Sequence, residues 1–178
     1  MTSLNIGRTD PFSIPFYVQA VFGILGRPRK FFSELPSGIG MKPSLVFLVV
    51  SALFFCIASL TNTRLQAFYI MGAVHLFNAV GMVFIMAGLG YLVMMLSIGR
   101  KVTFDRFFSV YALCSGVVLL VSWVPYAAIF TEPWKWYLIG AGLTRCCGMR
   151  LKDALLIIVL SLGIWILFYW SLMPLIRS

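Results

Sequence analysis

Residues 68–97 read FYIMGAVHLFNAVGMVFIMAGLGYLVMMLS, a run of thirty residues without a single Asp, Glu, Lys or Arg. A helix of that length rises about 45 Å, whereas the hydrocarbon core of a bilayer is about 30 Å thick. The run therefore predicts a transmembrane helix that tilts within the bilayer or emerges from it.

The rest of the chain has the same apolar character. Its 178 residues are 61% hydrophobic and 11% charged, and the mean hydropathy is +0.99. Soluble domains are about 45–50% apolar and about 25% charged. The composition excludes an ordinary cytosolic enzyme and a disordered chain, and it predicts an all-α, polytopic transmembrane helical bundle.

Four more spans are predicted on either side of the first run, which makes about five in all. The four additional spans cover 43–61, 107–124, 126–148 and 153–173. Polar residues stand on both sides of 68–97, and Pro125 ends the span 107–124. The segment 126–148 gives the weakest signal, because its apolar core is short and Pro133 precedes it. Either it crosses as a helix that is broken around Pro133, or it is re-entrant.

Residues 1–42 are predicted to form a cytoplasmic segment ahead of the transmembrane bundle of 43–178. Within this segment, 13–26 reads as a helix of about 21 Å, which is too short to span a bilayer. The basic residues Arg27, Arg29 and Lys30 follow it. This pattern is typical of an amphipathic helix in the membrane interface. The alternative is a segment packed against the bundle.

The basic residues predict the orientation of the chain. There are 14 Lys and Arg against 5 Asp and Glu. With five spans and the N-terminus in the cytoplasm, all basic residues except Arg64, Lys135 and Arg177 fall on the inner side. The positive-inside rule therefore favours an integral membrane protein with its C-terminus outside, in the cytoplasmic membrane if the source is prokaryotic. No soluble module gathers the charges, so no nucleic acid partner is expected.

Membrane lipids are the expected partners. Basic residues near a membrane surface attract anionic lipid by about 1 kcal/mol each. Five of them form a candidate collar for anionic headgroups: Arg27, Arg29, Lys30, Arg100 and Lys101. A membrane-protein partner or a second copy is also expected, because small residues are frequent in 68–97 and permit close helix packing.

Three further residues are candidate contacts for a lipid or a substrate. His75 and Asn78 are three positions apart and share a helix face. Polar groups at membrane depth often mark a substrate path, although they also form hydrogen bonds between helices. Arg145 falls where the fourth span should meet the inner interface. There it could bind a lipid phosphate or extend to the surface.

The sequence offers little material for catalysis or for a cofactor. The five acidic residues lie in termini, loops or helix ends, and His75 is the single histidine. No Cys-x-x-Cys pair, phosphate-binding glycine loop or Gly-x-Ser-x-Gly motif is present. We therefore expect no catalytic, metal or cofactor site, and a protein that is not an enzyme.

Two stretches resemble the Yip1-domain family. One is RPRKFFSEL at 27–35, followed by Pro43. The other is GRKVTF at 99–104, followed by Phe107-Phe108, Tyr111, Pro125, Trp134 and Gly142-Leu143. The family typically shows a basic Pro-Arg-x-x-Phe entry, a glycine-basic loop before Thr-Phe or Ser-Phe, a Tyr-rich third span and a Gly-Leu in the fourth. The resemblance covers about 25–170.

The resemblance implies a five-span helical fold with a cytosolic N-terminus. Eukaryotic members are linked to Rab GTPases through a long soluble N-terminal region. The compact prokaryotic type, without Rab binding, is expected here. The expected function is to organise a membrane protein complex or the local lipid, without catalysis. The alternative is a small transporter, channel or lipid translocator with a site near His75, Asn78 and the broken fourth span.

Overall fold

The structure is a computed structural model, and it describes residues 14–36, 40–60, 68–99, 102–124 and 126–177. In these ranges the chain forms seven helices and no strand, which confirms the predicted all-α class. The helices are α1 (Ile14–Gly26), α2 (Pro28–Glu34), α3 (Met41–Leu60), α4 (Phe68–Ser97), α5 (Phe104–Ser122), α6 (Ala128–Cys146) and α7 (Leu151–Arg177).

Three of these helices are long and apolar enough to cross a membrane. The qualifying stretches are Met41–Ser59, Ile70–Ser97 and Phe104–Ser122, with mean hydropathies of 2.1, 2.2 and 1.6. Together with the shorter apolar helix α1, they form the bundle of a helical membrane protein. That α6 and α7 also cross, which would give five spans, stays a prediction.

The predicted break in the fourth span is wrong. α6 is one helix of 19 residues, and Pro133 lies inside it. A helix of this length is about 28 Å long. Proline removes one backbone hydrogen bond, and helices in membranes tolerate this loss when their neighbours hold them. Leu138, Ile139 and Leu143 of α6 are almost completely buried against the bundle, which keeps the helix continuous.

Helix α5 forms the centre of the bundle. Its twelve consecutive residues from Phe107 to Val118 are all buried, and α3, α4 and α6 pack around it. Glycine permits the closest approach, because it has no Cβ atom. A Cβ on Gly116 of α5 would lie 2.6 Å from Cε1 of Phe47 on α3, and one on Gly142 of α6 would meet Val110 of α5.

Helix α2 closes the bundle at the end where α5 begins and α6 finishes. It packs against α6 and buries Phe31 and Phe32, whereas Arg29 and Lys30 are exposed. The ring of Phe32 lies beside Gly142, where a Cβ would be 3.4 Å from the ring. This short helix is therefore held to the bundle by its apolar face.

Helix α1 packs against the bundle on one side only. Ala20 and Ile24 are fully buried, and the Tyr17 hydroxyl is 3.0 Å from the Ser51 hydroxyl on α3. The opposite side remains apolar, with Ile14 and Phe22 more than 70% exposed. An outward apolar face suits contact with lipid, and the position of α1 in the membrane interface stays a prediction.

Candidate functional site

A cavity of about 510 Å³ lies between α4, α5, α6 and α7, with Phe55 of α3 at its edge. Binding pockets for small molecules measure about 300–1,000 Å³. The lining residues come from 75–86 in the middle of α4, the last two turns of α5, 132–139 of α6 and the middle of α7. The cavity therefore extends from the middle of the bundle towards the end where α5 finishes, which is the outer end in the predicted orientation.

The polar lining residues lie towards the end of the cavity where α5 finishes and α6 begins, and this end is called its mouth. Its side chains include His75, Asn78, Ser122, Glu132 and Lys135. The Lys135 ammonium donates to Glu132 Oε1 at 2.8 Å and lies 2.6 Å from Oε2. The same ammonium is 5.2 Å from the centre of the Trp136 ring, a distance at which a cation is attracted to an aromatic face.

The deeper part of the cavity is apolar apart from the Ser115 hydroxyl. Its lining includes Met82, Val83, Met86, Ile139 and Leu162. Met is flexible and adapts to irregular apolar ligands. A cavity with a polar mouth and an apolar interior suits an amphiphile, whose chain avoids water and whose headgroup needs polar partners.

The predicted pair His75 and Asn78 comes together at this cavity. His75 is half-buried, and its ring meets the edge of Phe55 at a centroid distance of 6.0 Å. Asn78 is exposed one helical turn further along α4. Both side chains are therefore placed to meet a molecule in the cavity, and their contact with a lipid or a substrate stays a prediction.

The other predicted residues lie elsewhere. Arg145 is exposed in the last turn of α6 and does not line the cavity. Arg27, Arg29 and Lys30 are exposed at α2, where Lys30 is 3.7 Å from Glu34 in a surface ion pair of little energetic value. Arg100 and Lys101 lie outside the described residues. The anionic-lipid collar stays a prediction.

Sequence reasoning missed most of the cavity mouth. The mouth residues it did not select are Ser122, Glu132, Lys135, Trp136 and Trp165. Glu132 counted only as an acid in a loop or at a helix end, and Lys135 only as an outer basic residue. Their spacing of three positions, followed at once by Trp136, is the available signal. On a helix this spacing places all three on one face.

A family model described as the Yip1 domain matches residues 22–173. The match covers the last five residues of α1, all of α2 to α6 and most of α7. No curated protein and no solved structure matches the sequence.

Proposed function

This chain belongs to the Yip1-domain family, and we propose that it is a non-enzymatic membrane protein that binds a membrane lipid in the cavity and thereby organises the lipid around it. The family is generally one of non-enzymatic membrane proteins. The observation that carries the proposal is that the polar lining residues gather towards one end of the cavity along α4, α5 and α6, whereas the apolar ones lie further in.

The surroundings of the cavity also favour a lipid over a water-soluble ligand. The outward face of α4 beside the cavity is apolar, with Val74 58% exposed and Phe77 81% exposed. Such a face contacts lipid when the helix is in a membrane. Trp136 and Trp165 line the cavity, and tryptophan prefers the level of lipid headgroups. These features support a ligand that enters the cavity from the surrounding lipid.

The proposal includes an orientation in which the N-terminus is cytoplasmic and the C-terminus is outside. The test uses Ser3→Cys and Ser178→Cys in a background without the native cysteines, with a membrane-impermeant maleimide applied to intact cells. We expect Ser178→Cys to react at once and Ser3→Cys to react only after permeabilisation. Labelling of both from the same side would contradict an odd number of spans.

A bulky side chain in the cavity is expected to displace the lipid. Ala79 lines the cavity on α4, so the ring of Ala79→Phe would occupy part of the space that the acyl chain needs. Native mass spectrometry after gentle extraction measures the retained lipid. We expect about a tenfold loss of lipid occupancy, equivalent to about 1.4 kcal/mol.

The matched control is Ala73→Phe, which adds the same ring to an exposed position on the same helix. It should retain the lipid of the unmodified protein. Ala79→Leu adds a smaller group and provides a second test if Ala79→Phe does not fold. A folded Ala79→Phe variant with unchanged lipid occupancy would contradict binding in the cavity.

A lipid translocator is the alternative, and one observation favours it: His75 and Asn78 line the cavity together. The unbroken α6 removes the interrupted helix that would have supported it further. Transbilayer movement of labelled lipid by the reconstituted protein, above the rate in protein-free vesicles, would favour this alternative.

The organising role also implies a protein partner. A second protein or a second copy of this chain in the mass spectra would identify that partner.

A further inference from the structure

The mouth of the cavity already holds a primary ammonium group, that of Lys135. Both carboxylate oxygens of Glu132 lie within 2.8 Å of the Lys135 nitrogen, and the Trp136 ring centre lies 5.2 Å from it. A carboxylate that accepts N–H groups, together with an aromatic face, is a recurring arrangement for binding ammonium ions. Glu132 and Trp136 therefore form an ammonium site that the protein occupies with its own side chain.

This ammonium site is open to exchange. The Glu132 side chain is 54% exposed and that of Lys135 is 21% exposed. Ion pairs at such positions contribute about 0–1 kcal/mol to stability, so a competing ammonium group can replace Lys135 at little cost. The side chain of Lys135 is long and flexible, and after the exchange it can turn towards an anionic group nearby.

We propose that the bound lipid is a zwitterionic glycerophospholipid with a primary ammonium headgroup. Its ammonium takes the place of the Lys135 ammonium on Glu132 and Trp136, and Lys135 pairs with the lipid phosphate. The acyl chain enters the apolar interior beside Met82 and Met86. This inference rests on the proposed function, because it names the lipid class for the same cavity.

Charge and hydrogen bonding separate this headgroup from its competitors. The charges of Glu132 and Lys135 sum to zero, so the pair is complementary to a zwitterionic headgroup, whose own two charges also sum to zero. An anionic phosphatidylglycerol headgroup brings no ammonium for Glu132 and leaves that carboxylate beside a phosphate. A quaternary ammonium, as in phosphatidylcholine, has no N–H group to donate to Glu132.

The test offers the purified protein an equimolar mixture of phosphatidylethanolamine, phosphatidylcholine and phosphatidylglycerol with identical acyl chains. Native mass spectrometry then counts each bound species. We expect phosphatidylethanolamine to exceed each of the other two about tenfold. Glu132→Gln removes the carboxylate and should abolish the preference. Lys152→Gln, an exposed lysine on α7 at the opposite end of the bundle, is the matched control and should keep it.

Each outcome bears on a different claim. If the three lipids bind equally and Ala79→Phe abolishes their binding, the headgroup assignment is overturned, whereas lipid binding in the cavity is supported. A preference for phosphatidylglycerol, or a preference that survives Glu132→Gln, would also overturn it. Absence of any bound lipid would overturn the proposed function itself. Soluble phosphoethanolamine should not compete, because it has no chain for the apolar interior, and effective competition would contradict a lipid ligand.

Discussion

Replacing Gly116 with valine is expected to lower the Tm of the detergent-solubilised protein by roughly 10 °C, a loss of about 3 kcal/mol. A Cβ at this position would lie 2.6 and 2.8 Å from two atoms of the Phe47 ring. Phe47 is fully buried, so the ring cannot move away without disturbing its own packing. The substitution would therefore push α3 and α5 apart at the centre of the bundle.

The control is Gly163→Val on α7, where a Cβ would have no neighbour within 4 Å. Its Tm should stay close to that of the unmodified protein. Phe47→Leu in the Gly116→Val background should recover a large part of the loss, because the smaller side chain makes room for valine. Simple additivity of the two changes would contradict the proposed clash.

Phe32→Ala is expected to cost about 3–5 kcal/mol, measured by thermal unfolding in the same detergent. Phe32 is 1% exposed, and its ring lies beside Gly142 of α6. Its removal leaves a cavity under α2 and weakens the attachment of this seven-residue helix to the bundle. Trypsin should then cut faster at the neighbouring Arg29 and Lys30, which gives a second readout.

Phe22→Ala is the matched control, because Phe22 is 71% exposed on α1. It should change the stability by less than about 0.5 kcal/mol and leave the rate of tryptic cleavage unchanged. Equal effects of the two substitutions would show that α2 is not held by Phe32.

The long helices were predictable because the bilayer imposes both a length and an apolar composition on a span. α4 begins and ends at the predicted residues, 68 and 97. The course of α6 was harder to predict, since the polar pair Thr131 and Glu132 follows its first three residues and Pro133 normally interrupts a helix. The packing of Leu138 and Leu143 against the bundle decides the outcome, and a single segment carries no information about such contacts.

Only a small part of the cavity mouth could be predicted from the sequence. His75 and Asn78 stand out because they are polar residues in an apolar run of thirty. Ser122 and Trp165 do not stand out, because they join the mouth only when α5 and α7 pack beside α4. Glu132 and Lys135 had a readable helical spacing, but Glu132 was interpreted as an acid in a loop or at a helix end and Lys135 as an outer basic residue.

The burial of α5 has a consequence for how the chain is made. This helix has a lower mean hydropathy, 1.6, than the 2.1 and 2.2 of the qualifying stretches in α3 and α4. During synthesis α3 and α4 leave the ribosome first, so α5 enters the membrane beside partners that are already there and exchanges contacts with lipid for contacts with protein. α6 is made later and covers another side of α5. The bundle is therefore assembled around α5 during synthesis. In a nascent chain that stops before α6, the side of α5 that α6 normally covers would face lipid.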